Sequence, residues 1–299
     1  MTDAHVHLYP PEADADPAAW AAARREPHWA RLCTRRRKDG RPVQTLPTLG
    51  ALLQEMDSAG VERAWLLGWY WERPETCAEQ NRLYAECIRA HPDRLSAFAT
   101  IHPSAGITAT LDEIRRAHGE GLRGLGELSP HSQAYPVDDP VFQAALDLAE
   151  ELNLPVNLHV TDPDSARYPG WVATPPDDFL KLARSHSRVR FILAHWGGLL
   201  PLRNPAALAL PNVWYDTAAS PLLYDEGIWR RFLDQVPADR VVFGSDYPLN
   251  VYPRIDSLPG MARFVAEVHR AGLTADELAA VVRDNAKKIL PPTARVTGR

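Results

Sequence analysis

Short, nearly continuous apolar runs alternate with helical segments along almost the whole of this sequence, and that alternation restricts the fold more than any other feature. The runs at 4–8, 61–68, 95–101, 122–128, 156–160, 189–195, 213–218 and 241–246 read as eight strands. They lack strict polar–apolar alternation, as expected where both faces of a parallel sheet are covered. The intervening segments predict helices over 49–59, 76–90, 107–117, 141–151, 177–185, 199–207, 227–236 and 261–271, with a further helix over 274–289. Gly60 is placed to stop the first of these, and Thr274 with Glu277 has the spacing of a capping box. Eight strand–helix units fit an α/β chain closed into a (β/α)8 TIM barrel, as one domain over 1–299 with an added C-terminal helix. An open, doubly wound sheet is the competing architecture. No GxGxxG follows a strand and no GxxxxGK occurs, so the usual nucleotide-binding signals are absent.

One segment breaks the alternation. Residues 10–44, after the first strand, are polar and proline-containing, with Trp20 and Trp29 embedded in them. An insertion of this length is expected to lie over the barrel mouth. It carries the densest basic run, Arg35-Arg36-Arg37-Lys38, followed by Arg41. This reads as a solvated loop, or as a contact with an anionic substrate or another subunit. The tail 291–299 is polar and expected to be loose.

A formal net charge of -5 argues against a nucleic-acid-binding surface, which is usually basic. No apolar run reaches the length of a membrane span, and the N-terminal residues lack the basic and apolar regions expected of a signal peptide. The three cysteines, Cys33, Cys77 and Cys87, form no CxxC pair, which suits a reducing compartment. The expectation is a cytoplasmic protein acting on a small molecule, with no nucleic-acid or membrane partner.

Chemistry-bearing residues recur where apolar strands meet loops, and in a barrel those ends converge on one face. His5 and His7 flank Val6, so both side chains leave the first strand on the same side. Glu127 lies near the end of the fourth strand, His159 of the fifth, His195 of the sixth and Asp246 of the eighth. Neutral imidazoles and carboxylates suit Zn2+, with Mn2+ or Fe2+ as alternatives. Asp3 is placed to orient His5 by hydrogen bonding, unless it is an ordinary N-terminal carboxylate.

Around these ends, Trp69, Trp71, Trp196 and Tyr247 are candidate walls of a pocket for a planar or largely apolar substrate. Tyr168 and Trp171 lie in the loop after His159. Arg73 and Arg167 are candidate clamps for a carboxylate, because a guanidinium binds one bidentately. His102, His131 and Tyr135 occupy loops on the same side and serve either substrate or packing.

Taken together, the chain resembles the metal-dependent amidohydrolase superfamily, and within it the amidohydrolase-related family that contains hydrolases and non-oxidative decarboxylases. The resemblance runs from Asp3-Ala4-His5-Val6-His7 through Gly244-Ser245-Asp246-Tyr247-Pro248 to Asp284-Asn285-Ala286. It implies metal binding by His5 and His7, and a ligand or polarising role for His159. It implies that His195 positions or polarises substrate or water, and that Asp246 both binds metal and handles a proton. The Gly-Glu-Leu around Glu127 is similar to a strand-four variant. Many binuclear relatives carry there a lysine that is carboxylated to bridge two metals. Its absence favours one divalent metal ion, although Glu127 could itself bridge two. The resemblance also implies a possible homodimer.

Two reactions fit. The first is metal-dependent hydrolysis of an ester, lactone or amide of a small aromatic or carboxylated substrate. The alternative is non-oxidative decarboxylation. A barrel that binds a ligand without catalysis is the third class.

Overall fold

The computed structural model describes residues 1–290, so the tail expected to be loose at 291–299 lies outside the described residues. Eight parallel strands form the centre: β1 Thr2–Val6, β2 Arg63–Leu66, β3 Leu95–Ala97, β4 Leu125–Leu128, β5 Val156–Leu158, β6 Phe191–Leu193, β7 Val213–Asp216 and β8 Val241–Val242. They pair in chain order as β1-β2-β3 and β4-β5-β6-β7-β8. Backbone hydrogen bonds close both seams between these groups. Ala99 N donates to Gly124 O at 2.8 Å and Gly126 N to Ala99 O at 2.8 Å. On the other side, Ala4 N reaches Phe243 O at 2.8 Å, Asp246 N reaches His5 O at 2.9 Å, and His7 N reaches Tyr247 O at 2.7 Å. The sheet is thus a closed (β/α)8 barrel.

The strands are shorter than the apolar runs because the ladder becomes irregular near the mouth. Register shifts fall between Asp3 and Val6 and between Leu125 and Leu128, the segments that carry His5 and Glu127. At such positions the backbone re-aims side chains instead of continuing the ladder. Two glycines permit close approaches there. A Cβ on Gly244 would stand 2.7 Å from the Cβ of His5. Gly126 has φ +131°, and a Cβ on it would stand 2.6 Å from Asn157 O.

The helix Leu49–Ala59 has the bounds the sequence predicts: the Thr48 side chain accepts from Ala51 N, and Gly60 closes it in the left-handed conformation. Pro74–Ala90, Ile107–Gly119, Pro140–Glu151, Pro176–Ser185 and Ala262–Arg270 also lie close to expectation. Two expected helices are broken. The 199–207 segment divides into Leu200–Arg203 and Pro205–Ala207, where the Asn204 side chain caps the second turn. The 274–289 segment divides into Ala275–Ala279, a π-turn Ala280–Asp284, and Asn285–Ile289; the Thr274–Glu277 capping box is present.

Three apolar clusters hold the fold. The largest lies between sheet and helices. A second joins Ala4, Trp65, Leu67, Phe98, Ile192 and Val242 to Ala286 and Ile289 of the helix Asn285–Ile289 and to Leu290 just after it. The third belongs to the insertion 10–44, which forms the short helices Pro17–Arg24 and Pro27–Cys33. There Trp20 and Trp29 pack on Trp71 with ring centroids 5.5 and 5.8 Å away. Buried Glu26 accepts from Glu72 N at 2.7 Å and Arg73 N at 3.1 Å, fixing the insertion to the loop after β2. Among the described residues, no helix is long and apolar enough to cross a membrane.

Candidate metal centre

The hydrogen bonds of the first two histidines leave their lone pairs facing each other. Asp216 Oδ2 lies 2.9 Å from His5 Nδ1, and Leu67 O lies 2.9 Å from His7 Nδ1. A carbonyl only accepts, so His7 Nδ1 carries its proton; a carboxylate likewise takes the Nδ1 proton of His5. Both Nε2 atoms then point inward, 3.1 Å apart. Two lone pairs at that distance require a proton or a metal cation between them.

Glu127 sits beneath both. Its Oε2 is 3.7 Å from the Nε2 of His5 and of His7. Its Oε1 is 2.9 Å from His159 Nδ1 and 3.5 Å from His195 Nε2. His159 Nδ1 and His195 Nε2 are 3.2 Å apart, and His195 Nδ1 is 3.1 Å from Ala218 O. One carboxylate therefore faces two histidine pairs, each completing a group of three donor atoms within 4.8 Å of one another. Asp246 Oδ1 closes the upper side, 3.6 Å from His7 Nε2 and 3.9 Å from His5 Nε2, with Oδ2 3.9 Å from His195 Nδ1. His195 and Asp246 reach these positions with φ of 58° and 67°, in the left-handed region. Such backbone costs about 1–3 kcal/mol for a residue with a side chain and is tolerated where the surroundings impose it.

The electrostatics describe a site built for positive charge. Burial works against a charge on His5, but Asp216 and Glu127 outweigh it and push its pKa up to about 10. Burial, then the charge of His5, pushes His7 down to about 3. Burial would raise Glu127, yet His159 and His5 hold it well below the ordinary carboxylate range. Burial lifts Asp246 to about 6 against the pull of His5 and His195. The donor set, imidazole nitrogens and carboxylate oxygens, fits Zn2+ or Mn2+.

The sequence reading missed Asp216, which ends β7 and is fully buried. Besides His5, it accepts from Asn157 Nδ2 at 3.1 Å and from the backbone N of His195 and of Ala218, each at 3.0 Å. One carboxylate thus orients a candidate ligand and fixes the strand end that carries another. Its position at a strand end was the available signal. Asp3 does something else than expected. Its Oδ1 accepts from His5 N at 3.1 Å and Ser245 N at 2.9 Å, so it pins β1 to the loop after β8 and leaves the imidazole to Asp216.

Beside the centre lies a cavity of about 110 Å3, lined by His7, Glu127, His159, His195 and Asp246 of the centre and also by Trp69, Tyr70, His28, Arg35, Gln44, Asp162 and Tyr168. Of the expected walls, Trp69 lines it. Trp71 does not: it is fully buried among the insertion's aromatics, and its Nε1 donates to Gln80 Oε1 at 2.7 Å. Trp196 is also fully buried, against Trp229 and Phe232, with Nε1 donating to Ser220 Oγ at 2.9 Å. Tyr247 packs in the main core.

Neither expected clamp lines the cavity. Arg73 sits where the insertion meets the loop after β2, beside Pro27 and Arg31. Arg167 is exposed and stacks over Trp171 at 3.3 Å from the ring centroid. The guanidinium on the cavity wall is instead Arg35. His102, His131 and Tyr135 are engaged elsewhere, with Gln133 O, Asp178 Oδ2 and Gln133 Oε1.

A family model described as amidohydrolase matches residues 2–291. No curated protein matches the chain. Solved structures share the fold. The 2,6-dihydroxybenzoate decarboxylase from Rhizobium is 19% identical, with TM-score 0.67 over 96% of this chain and 97% of that one. A 5-carboxyvanillate decarboxylase from Novosphingobium aromaticivorans, solved with manganese and 4-hydroxy-3-methoxy-5-nitrobenzoic acid, is 16% identical, with TM-score 0.71 over 96% and 95%. A probable 2-pyrone-4,6-dicarboxylic acid hydrolase from Acinetobacter baumannii, with citric acid bound, is 16% identical, with TM-score 0.62 over 96% and 98%.

Proposed function

Because this chain belongs to the amidohydrolase family, whose members use a divalent metal, we propose that it is a metal-dependent hydrolase acting on an ester, lactone or amide of a small substrate. The observation that carries this reading is the placement of Glu127, whose two oxygens face two separate histidine pairs. In this reading Glu127 stands where many binuclear relatives carry a carboxylated lysine, and the centre would hold two divalent cations, Zn2+ or Mn2+. His5, His7 and Glu127 would hold one, and Glu127, His159 and His195 the other. Such a centre supplies acidified water and polarises a carbonyl.

The protein's own groups have distinct tasks. Asp216 and Leu67 O fix the tautomers and ring orientations of His5 and His7. Asp246 is the carboxylate between the centre and the open cavity. It accepts the proton of the attacking water and returns it to the departing oxygen or nitrogen as the C–O or C–N bond breaks. His195 directs Nε2 at Glu127, which fits a ligand better than a group that polarises the substrate carbonyl. Trp69 and Tyr70, with ring centroids 4.3 Å apart, give the substrate a flat apolar wall.

Non-oxidative decarboxylation is the second reading. It is favoured by the place of Asp246 beside both the histidines of the centre and the cavity, from which a protonated carboxyl would reach a substrate carbon. Turnover in 18O-labelled water separates the two. Hydrolysis places one labelled oxygen in the product and releases no carbon dioxide. Carbon dioxide release without label in the other product would overturn it.

A further inference from the structure

We infer that Arg25, Arg31 and Arg73 form a second binding site, across the seam between the insertion and the loop after β2, for a small molecule carrying two or more phosphate groups. The three arginines line one surface groove of about 680 Å3, which shares no residue with the cavity beside the metal centre. Ala18, Ala21, Ala22 and Ala30 also line it, and their methyl groups leave open the space that longer side chains would fill. Arg25 closes the helix Pro17–Arg24 in the left-handed conformation, with φ 59°. Glycine closes a helix this way at lower cost, so the backbone gives no reason for an arginine there. Arg31 lies in the helix Pro27–Cys33, and Arg73 caps the N-terminus of Pro74–Ala90. Two of the cations thus come from the insertion and one from the barrel.

Among the described residues, none of these three guanidiniums has a carboxylate within 4.0 Å or a hydrogen bond to the protein. Other arginines of the insertion do have internal acceptors: Arg24 reaches Glu79, Arg36 reaches Gly40 O and Arg41 reaches Asp39. Carboxylates of the same segments are engaged elsewhere. Glu26 accepts from the backbone N of Glu72 and of Arg73, and Glu72 Oε2 accepts from His28 N at 2.7 Å. Three like charges around one groove repel each other, and a multivalent anion relieves that repulsion. Guanidinium groups pair with phosphate oxygens through parallel hydrogen bonds. The helix Pro27–Cys33 connects this groove with the catalytic cavity. Its Pro27, Ala30 and Arg31 line the groove, whereas His28 and Leu32 line the cavity. Spacings of three and four residues put each set on its own face of the helix. An anion bridging Arg25 and Arg31 to Arg73 fastens this helix to the barrel, and so bears on the cavity wall.

The test uses naphthalene-1,3,6-trisulfonate, a fluorescent trianion, beside naphthalene-1-sulfonate. Each is titrated with the zinc-loaded protein, and binding is read from fluorescence anisotropy. Sulfonates are weak ligands for Zn2+, which keeps the probe off the metal centre. The trisulfonate is expected to bind about tenfold or more tightly than the monosulfonate, and less tightly as sodium chloride is raised. Arg25→Gln, Arg31→Gln and Arg73→Gln should each weaken trisulfonate binding about three- to tenfold. All three positions are exposed, so the denaturation midpoint should stay where it is. Arg36→Gln should leave the affinity unchanged. Fructose 1,6-bisphosphate should displace the bound probe, and failure to do so overturns the assignment to phosphates. Equal affinity for the two sulfonates overturns the inference, as does trisulfonate binding that survives all three substitutions. A loss confined to Arg25→Gln and Arg31→Gln, with Arg73→Gln unchanged, overturns the bridge across the seam.

Discussion

His5 and Asp216 meet across the barrel with Nδ1 and Oδ2 2.9 Å apart, neither exposed to solvent. The carboxylate fixes the tautomer of the imidazole and raises its basicity, while its other oxygen holds the backbone of His195. Asp216→Asn keeps the shape and removes the charge. Its metal affinity, measured by competition with a chromophoric chelator, should fall about 10–100-fold although no ligand has been deleted. Unchanged affinity would show that Asp216 serves the fold alone.

Glu127 separates one metal from two. The wild type should hold two equivalents of Zn2+ or Mn2+ per chain after dialysis, counted by elemental analysis. Glu127→Gln removes the bridging charge and should hold one equivalent or fewer. One equivalent in both proteins would refute the bridging assignment.

Metal uptake should release protons. Asp216 and Glu127 outweigh burial and carry the pKa of His5 to about 10, so between pH 6 and 9 the metal-free centre retains a proton on His5. A cation must displace it, so affinity rises with pH across this window. His7, pushed down to about 3, is already neutral there and contributes no proton. Calorimetric titration in buffers of different ionisation enthalpy checks this. A heat of binding independent of the buffer would contradict it.

The sequence made the barrel and the residues of the centre legible for one reason: strand ends in a closed parallel barrel share a mouth, so residues as distant as His5 and Asp246 can be grouped before any contact is known. Asp216 shares that placement but sits in no recognisable motif, and only the pairing of β7 with its neighbours shows that it faces His5. The lack of a strand-four lysine favoured one metal and left Glu127 as the residue that could bridge two. The two-sided contact of Glu127 depends on side-chain orientation, which spacing does not encode. The arginine assignment turned on the path of the insertion. Nothing in its sequence tells that Arg35 turns to the cavity, while Arg73 and Arg167 lie away from it.

The tryptophans offer a last prediction, because proximity to a strand end does not decide between wall and core. Trp71 and Trp196 are fully buried, each hydrogen-bonded through Nε1, whereas Trp69 lines the cavity. Truncating a fully buried tryptophan removes its packing and leaves a void, at a cost of about 3–5 kcal/mol. Trp71→Ala and Trp196→Ala should therefore lower the denaturation midpoint steeply; Trp196→Ala also takes the donor from Ser220 Oγ, whereas Gln80 Oε1 still accepts from Trp69 N at 2.7 Å. Trp71→Phe should recover part of the loss without the hydrogen bond. Trp69→Ala should instead weaken binding of flat ligands more than it lowers the midpoint, since its ring meets that of His7 in a T-shaped contact at 5.4 Å between centroids and it lines the cavity. Denaturation curves and ligand titrations on the same variants separate the two classes. Equal stability losses with no change in ligand affinity for Trp69→Ala would move that residue from the wall to the core.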